Sequence, residues 1–484
     1  MMNNTTHKII LSILEQKRFW HLVFFLPWLI IASASLPKAD NLADTLVGAY
    51  TQSGLLDQNR ALLRAADEDV AIAGSLLKPI VSWSTELSHD YGESRSSFAG
   101  AKTQNINTSS FTAALTASWQ LYDFGADRLR VDSSKELVLA TRASLLQVEQ
   151  SVFLRGVNAY FEVYRQQEFV DLRRNNLRLL KEELEAANDR FEVGEVTRTD
   201  VAQAEAAVEA ARSNLAIAQR DLTRAQAEYT NVAGRPPGVL TAVPALPNVV
   251  TNVAQAQAIA VRNHPQMVEA KHNVAAADLI ALAAGRDLKP TISLGGSLRT
   301  TDKFDNDEKS DLGTVSIQIG GPIYKGGELS ARQRQAYARR DAARGNQHYV
   351  RHNVQQNVVN AIAGVVAARA VLVSSREQVR AARVAFRGVR EEANLGARTT
   401  LDVLDAEQDL LDAQTTLISA QAGQFTATYA VLESIGYLTA QRLGLPVQIY
   451  DPVAYYNLVK NSPAKLSKQG RQLDRVIEAL AVED

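Results

Sequence analysis

The sequence predicts a mixed α/β membrane protein in which one unit, two strands followed by a long helical hairpin, is written twice. Three observations predict it. The chain repeats itself at a constant offset of 202 residues through its helical hairpins, and at 211 upstream, where Pro79 matches Pro290. Each repeat holds two stretches of polar–apolar alternation, the period of a strand with one face in an apolar medium. Each also holds a proline-free helical stretch, 127–190 and 328–392, which at ~1.5 Å per residue reaches on the order of 95 Å and exceeds any globular domain.

The N-terminus is a separate object. Lys8, Lys17 and Arg18 precede an apolar stretch from Leu22 to Ala32, and Ala32-Ser33-Ala34 follows. This is the layout of a secretory signal peptide over 1–34, cleaved after Ala34. The chain has no cysteine, so an exported product carries neither disulfides nor a lipid-modified cysteine. Its 53 acidic and 52 basic residues lack the basic bias of a nucleic-acid-binding protein. Downstream, no run of 18 or more apolar residues is read. The expectation is that strands, not helices, make any membrane crossing.

The first repeat is expected over 35–240, the second over 241–443, and a C-terminal tail, equatorial and partly disordered, over 444–484. Each repeat opens with one helix, 41–77 or 253–287, ended by Lys-Pro, because proline cannot continue a helix. Val81, Trp83, Thr85 and Leu87 then alternate with polar residues, as do Phe111, Leu115, Trp119 and Leu121, then Ile292, Leu294 and Leu298, then Val315, Ile317 and Ile319. Polar loops are expected over 90–109 and 302–311. Behind each long helix comes a turn with Gly194 or Gly396. The next helix bears a heptad seam: Val201, Ala204, Val208, Ala211, Leu215, Ala218, Leu222, Ala225 and Tyr229 in the first copy. Alanine at these positions lets helix axes approach closely. Asp200 corresponds to Asp402 and Glu205 to Glu407 at the same offset.

Four strands cannot close a membrane barrel, and an open sheet edge cannot face lipid. The strands must therefore be pooled with those of other copies, two chains giving eight and three giving twelve. Trp83, Trp119 and Phe111, on the apolar strand faces, are expected as interface aromatics.

The junctions "LYDFG" and "IYKGG", the turns "FEVGEVTRTDV" and "NLGARTTLDVLDA", and "AGRPPG" after the first hairpin resemble the TolC family of outer-membrane efflux and type I secretion channels. The resemblance covers about residues 40–450. It implies a homotrimer forming a twelve-stranded β-barrel on an α-helical barrel, in the outer membrane of a Gram-negative bacterium with a large periplasmic part. The partners implied are outer-membrane lipid, a periplasmic adaptor (membrane fusion) protein and an inner-membrane ABC or RND transporter. It implies no catalytic site and no cofactor. In such a protein Asp402 and Asp405, three residues apart on one helix face, form stacked carboxylate rings at the closable periplasmic end. Arg398 with Thr199 and Asp200 holds that tip across hairpins. At position 393, where the family carries a tyrosine, this chain has Ala393.

The residues themselves leave other readings. Asp402 and Asp405 also suit a solvated helix start, where the dipole favours acids. His348 and His352 stand four apart, but without a zinc protease's glutamate between them. No nucleophile–base pair or nucleotide fingerprint is present. A second functional class is a periplasmic coiled-coil adaptor or structural protein, with the strands in a soluble sandwich.

Overall fold

The structure, a computed structural model, describes residues 40–94, 103–240, 245–305 and 308–481. The expected signal peptide lies outside these residues. The first repeat contains α1 (Leu42–Thr51), α2 (Gly54–Ser75), β1 (Ile80–Ser94), β2 (Gln104–Tyr122), α3 (Ala126–Glu192) and α4 (Arg198–Ala233). The second contains α5 (Val253–Asn263), α6 (Pro265–Arg286), β3 (Thr291–Lys303), β4 (Glu308–Gly320), α7 (Glu328–Asn394) and α8 (Thr400–Ser434). The tail holds α9 (Ala440–Leu443), α10 (Ala454–Val459) and α11 (Lys468–Ala481). Helices α3 and α7 each run 67 residues, about 100 Å.

Three sequence expectations need correction. Each repeat opens with two helices where one was expected. Ser53 interrupts the first stretch in an extended conformation, and its Oγ accepts a hydrogen bond from the Leu56 N–H at 3.3 Å, capping α2. The second stretch breaks at His264, extended before Pro265 at the first position of α6, as the pre-proline clash requires. The strands also run beyond the expected loops: β1 and β2 stay paired out to Ser94 and Gln104, and β3 and β4 to Lys303 and Glu308. Backbone pairing continues through this Ser-, Thr- and Asn-rich stretch because it demands no apolar face. Finally, α7 contains a window long and apolar enough, by composition, to cross a membrane. Within α7, Val358, Ile362 and Val365 pack on Ala256 and Ala260 of α5 and Val431 of α8, so part of this apolarity serves helix packing within the chain.

The sheet is one antiparallel layer in the order β1-β2-β3-β4. Its register sorts the side chains by polarity. Trp83, Leu115 and Leu298 stand in one row, Val81, Ala117, Gly296 and Val315 in the next, and Trp119, Leu294 and Ile317 beyond. The opposite face carries Ser82, Thr116, Ser297 and Thr314 in one row and Glu86, Thr112, Thr301 and Ser310 in another. Hydroxyls bond laterally there, Ser82 to Thr116 at 2.8 Å and Thr112 to Thr301 at 3.2 Å. The apolar face is bare in a single chain: Trp83 is 77% and Val315 82% exposed.

The largest core sits where α1 and α2 wrap the middle of α3. Leu46, Tyr50, Leu56 and Leu63 meet Phe153, Tyr160 and Phe161 there, together with Tyr229 of α4 and Phe425 of α8. Phe161 stacks on Phe425 with ring centres 4.7 Å apart, and buried Thr45 and Tyr229 share a 2.9 Å hydrogen bond. At Gly156 a Cβ would stand 3.0 Å from Leu46 Cδ2, so glycine permits this close approach of α1. The tail straps both opening helices: Tyr455 Oη donates to Glu68 of α2 at 2.7 Å, and the Tyr450 N–H to Tyr50 Oη of α1 at 3.2 Å.

Candidate functional site: the tip of the helical hairpins

Both hairpins reverse direction through the same five-residue device. After α3 the Gly194 N–H donates to Phe191 O at 3.0 Å and the Glu195 N–H to Arg190 O at 2.9 Å. After α7 the Gly396 N–H donates to Ala393 O at 3.0 Å and the Ala397 N–H to Glu392 O at 2.9 Å. Gly194 and Gly396 have φ of 80° and 77°, the left-handed conformation that ends a helix and favours glycine. Thr197 and Thr399 then cap α4 and α8, each in a reciprocal capping box with the aspartate three residues on,.

This box defines what the two sequence-matched aspartates do within one chain. Asp402 Oδ2 accepts from the Thr399 N–H at 2.9 Å and from Thr399 Oγ1 at 2.8 Å. Asp200 Oδ2 accepts likewise from Thr197, at 2.9 and 2.7 Å. The Thr399 N–H holds the Asp402 carboxyl below its ordinary range, and the Thr197 hydroxyl does the same for Asp200. Asp405, one turn on, is exposed. Arg398 Nε donates to Glu392 Oε2 at 2.9 Å across the turn, and this bond raises the guanidinium's affinity for its proton. Thr199 is exposed. Within one chain, therefore, Arg398 is partnered by Glu392 and Asp200 by Thr197. Ala393 packs against Phe386 and Val403, so the position of the family's tyrosine belongs here to the seam inside the second hairpin.

The residue-by-residue reading missed the extent of the acidic surface. Helix α8 carries Asp402, Asp405, Glu407, Asp409, Asp412 and Glu433 and no lysine or arginine. Asp405, Asp409 and Asp412 are exposed and recur at spacings of four and three, so they share a face. Its hairpin partner α7 carries twelve arginines against five acids. Net charge summed helix by helix was the signal that could have found this asymmetry.

At the other end, Phe111 and Trp119 lie on the apolar strand face eight residues apart along β2, about 27 Å at ~3.4 Å per residue. That matches the height of the apolar band of an outer-membrane barrel, ~25 Å. Trp83, beside Leu115, stands midway between them. Trp119 Nε1 donates to Leu77 O at 3.1 Å, which ties the strand base to the helix end.

The profile of the outer membrane efflux proteins matches residues 49–235 and 257–437. The chain belongs to the outer membrane efflux protein family. It is similar to the outer membrane efflux protein BepC of Brucella suis biovar 1 (strain 1330), 35% identical over 425 residues that cover 87% of this chain and 91% of that one. It is also similar to the proteases secretion protein PrtF of Dickeya chrysanthemi, 27% identical over 75% of this chain and 83% of that one. Among solved structures, the CmeC outer membrane channel of Campylobacter jejuni has a TM-score of 0.74 at 16% identity, over 87% of this chain and 90% of that chain, a likeness of fold. This outer membrane efflux protein is thus a channel of the outer membrane with its long helices in the periplasm. The adaptor reading is set aside. It required a sandwich, whereas the four strands form a single layer with an exposed apolar face.

Proposed function

We propose that three copies of this outer membrane efflux protein pool their strands into a twelve-stranded barrel and their hairpins into a helical tunnel. The assembly is a passive exit duct for a type I secretion system or a tripartite efflux pump, and its gate is the periplasmic tip. The observation that carries this reading is the open four-stranded sheet. Among the described residues its terminal strands β1 and β4 have no second neighbour, and its apolar face is bare. Unpaired backbone is untenable in lipid, and a meander of four antiparallel strands leaves β4 of one copy correctly oriented to pair with β1 of the next. Twelve strands leave a lumen where eight would be filled by side chains. The edge of the helical layer tells the same way: α7 leaves Val366, Val373 and Val384 exposed, a stripe that a neighbouring copy would cover.

At the tip, copies brought around one axis would face Asp405, with Asp402 below and Asp409 and Asp412 above, into a narrowing lumen. Carboxylate rings there favour cations and repel anions. Arg398, exposed beside its Glu392 partner, is placed to exchange that partner for Asp200 or Thr199 of an adjacent hairpin. A single exposed ion pair contributes only ~0–1 kcal/mol, which a docking adaptor could overcome. An inner-membrane ABC or RND transporter would then select the cargo; the names of PrtF and BepC cover protein secretion and efflux respectively. The test is sedimentation of the detergent-extracted protein. A heat-modifiable trimer is expected, and a stable monomer in detergent overturns the reading.

A further inference from the structure

One buried carboxylate has no part in the tip chemistry above. Glu407 lies on α8 one turn and a half above the capping box, and only 4% of it is exposed. Its Oε1 accepts a hydrogen bond from Asn176 Nδ2 of α3 at 2.8 Å. Its Oε2 is buried without a hydrogen-bond partner. Around this contact Leu177, Leu180 and Leu184 of α3, Val208 and Ala211 of α4, and Leu404 of α8 form one apolar cluster. The bond therefore crosses the seam between the first and second hairpins. The charged groups facing Glu407 are Glu183 of α3 and Arg390 of α7, which pair with each other at 2.9 Å across the same seam. Helix α4 presents Val208 and Ala211 there and no charge.

We propose that Glu407 is a proton-controlled coupling between the two hairpins: neutral, it lets α3 and α8 pack closed, and ionised, it loosens them. The physical reason is the orphan oxygen. A carboxylate in an apolar seam needs all its lone pairs satisfied, and Asn176 supplies one donor only. Protonation removes the charge, while Oε1 keeps the amide bond. Burial raises the acid to about 7, against the ordinary 4.5, with the Asn176 bond opposing. Once the seam opens and water enters, the acid reverts toward its ordinary value. The closed seam thus binds the proton more tightly. Closure is fully favoured below the ordinary value, and the advantage is lost as pH rises through about 7,. Between these limits each chain shifts its closed-to-open ratio by up to ~tenfold per pH unit.

This coupling concerns the seam. Its effect on conductance rests on the gate reading of the tip, so the experiment measures the two separately. The chain has no cysteine, so Arg178→Cys on α3 and Gln408→Cys on α8 take spin labels cleanly in the full-length detergent-extracted protein. The interlabel distance and the single-channel conductance are then followed from pH 8 to pH 5. For the parent, distance and conductance should both fall on acidification. Glu407→Gln, which keeps the shape without the charge, should hold the closed distance at every pH. Asn176→Ala removes the donor that steadies the ionised form in the closed seam, so the seam should open at lower pH than in the parent, whereas a packing role alone would loosen it equally at every pH. A parent distance independent of pH, or a Glu407→Gln response equal to the parent's, overturns the proposal. A distance that responds while conductance stays constant upholds the coupling and overturns the gate reading instead.

Discussion

An aspartate three residues into a helix can serve the chain or the lumen, and at this tip the two uses separate by position. Asp402 gives its carboxylate to Thr399 within the capping box, while Asp405, Asp409 and Asp412 leave theirs exposed along α8. The proposed carboxylate rings therefore depend chiefly on the residues above the cap. Replacing Asp402 and Asp405 together by alanine should shift the reversal potential toward neutral selectivity and weaken block by hexammine-cobalt from the periplasmic side. A double variant with the parent's reversal potential and block would remove these acids from the lumen. Arg398 is the second test at this scale. Its bond to Glu392 spans one turn of one chain, while Ala393 is taken up in the seam with Phe386 and Val403. Arg398→Ser should raise single-channel conductance in planar bilayers and sensitise cells to large antibiotics. Unchanged conductance would mean that Glu392 is its only functional partner.

At the scale of elements, the strands make the sharpest claim. Leu115 and Thr116 are neighbours in sequence but point to opposite faces, Leu115 beside Trp83 and Leu298, Thr116 beside Ser82 and Ser297. Leu115→Arg should destabilise the assembled barrel by about 2–4 kcal/mol per chain, because Leu115 sits mid-band where a lipid-facing charge costs most. Thr116→Arg should leave the urea midpoint of the extracted trimer unchanged. Equal tolerance of both would reverse the facing of the sheet. The helices make a complementary point. The expected single helices of 41–77 and 253–287 break at Ser53 and His264 because one residue in each adopts extended geometry. In the second case Pro265 is the visible cause. In the first, Ser53 caps α2 by a local bond from the Leu56 N–H, the usual role of serine at a helix start.

At the scale of the whole molecule, the protein is an incomplete object by design of its sheet and its helical layer. The core of Leu46, Phe153, Tyr160 and Phe425 stabilises each chain about its middle. The two ends expose what assembly would complete, the strand edges of β1 and β4 above and the α7 stripe below. The trimer predicted for detergent extracts should therefore lose its barrel and its quaternary contacts in one heat transition, since strand edges and the α7 stripe are buried by the same neighbours. Melting followed at once by gel mobility and by circular dichroism checks this; a monomer that keeps its sheet after dissociation would contradict it.

Much of this is legible in the sequence. Backbone periodicity is local: alternation at two residues marks the strands, spacing at three and four marks the seams, and Gly194 and Gly396 with their threonines mark the turns. The same offset of 202 separates α3 from α7, because identical local chemistry gives identical elements. What the tertiary structure alone decided is who meets whom across long stretches of chain. Register brought β2 beside β3. Packing set Asn176 against Glu407, 231 residues away, and laid Tyr455 on Glu68, 387 residues away. It also gave Arg398 to Glu392 within its own turn. No sequence period encodes such pairs, because each is chosen by the shape and charge of two surfaces that exist only after the helices have formed.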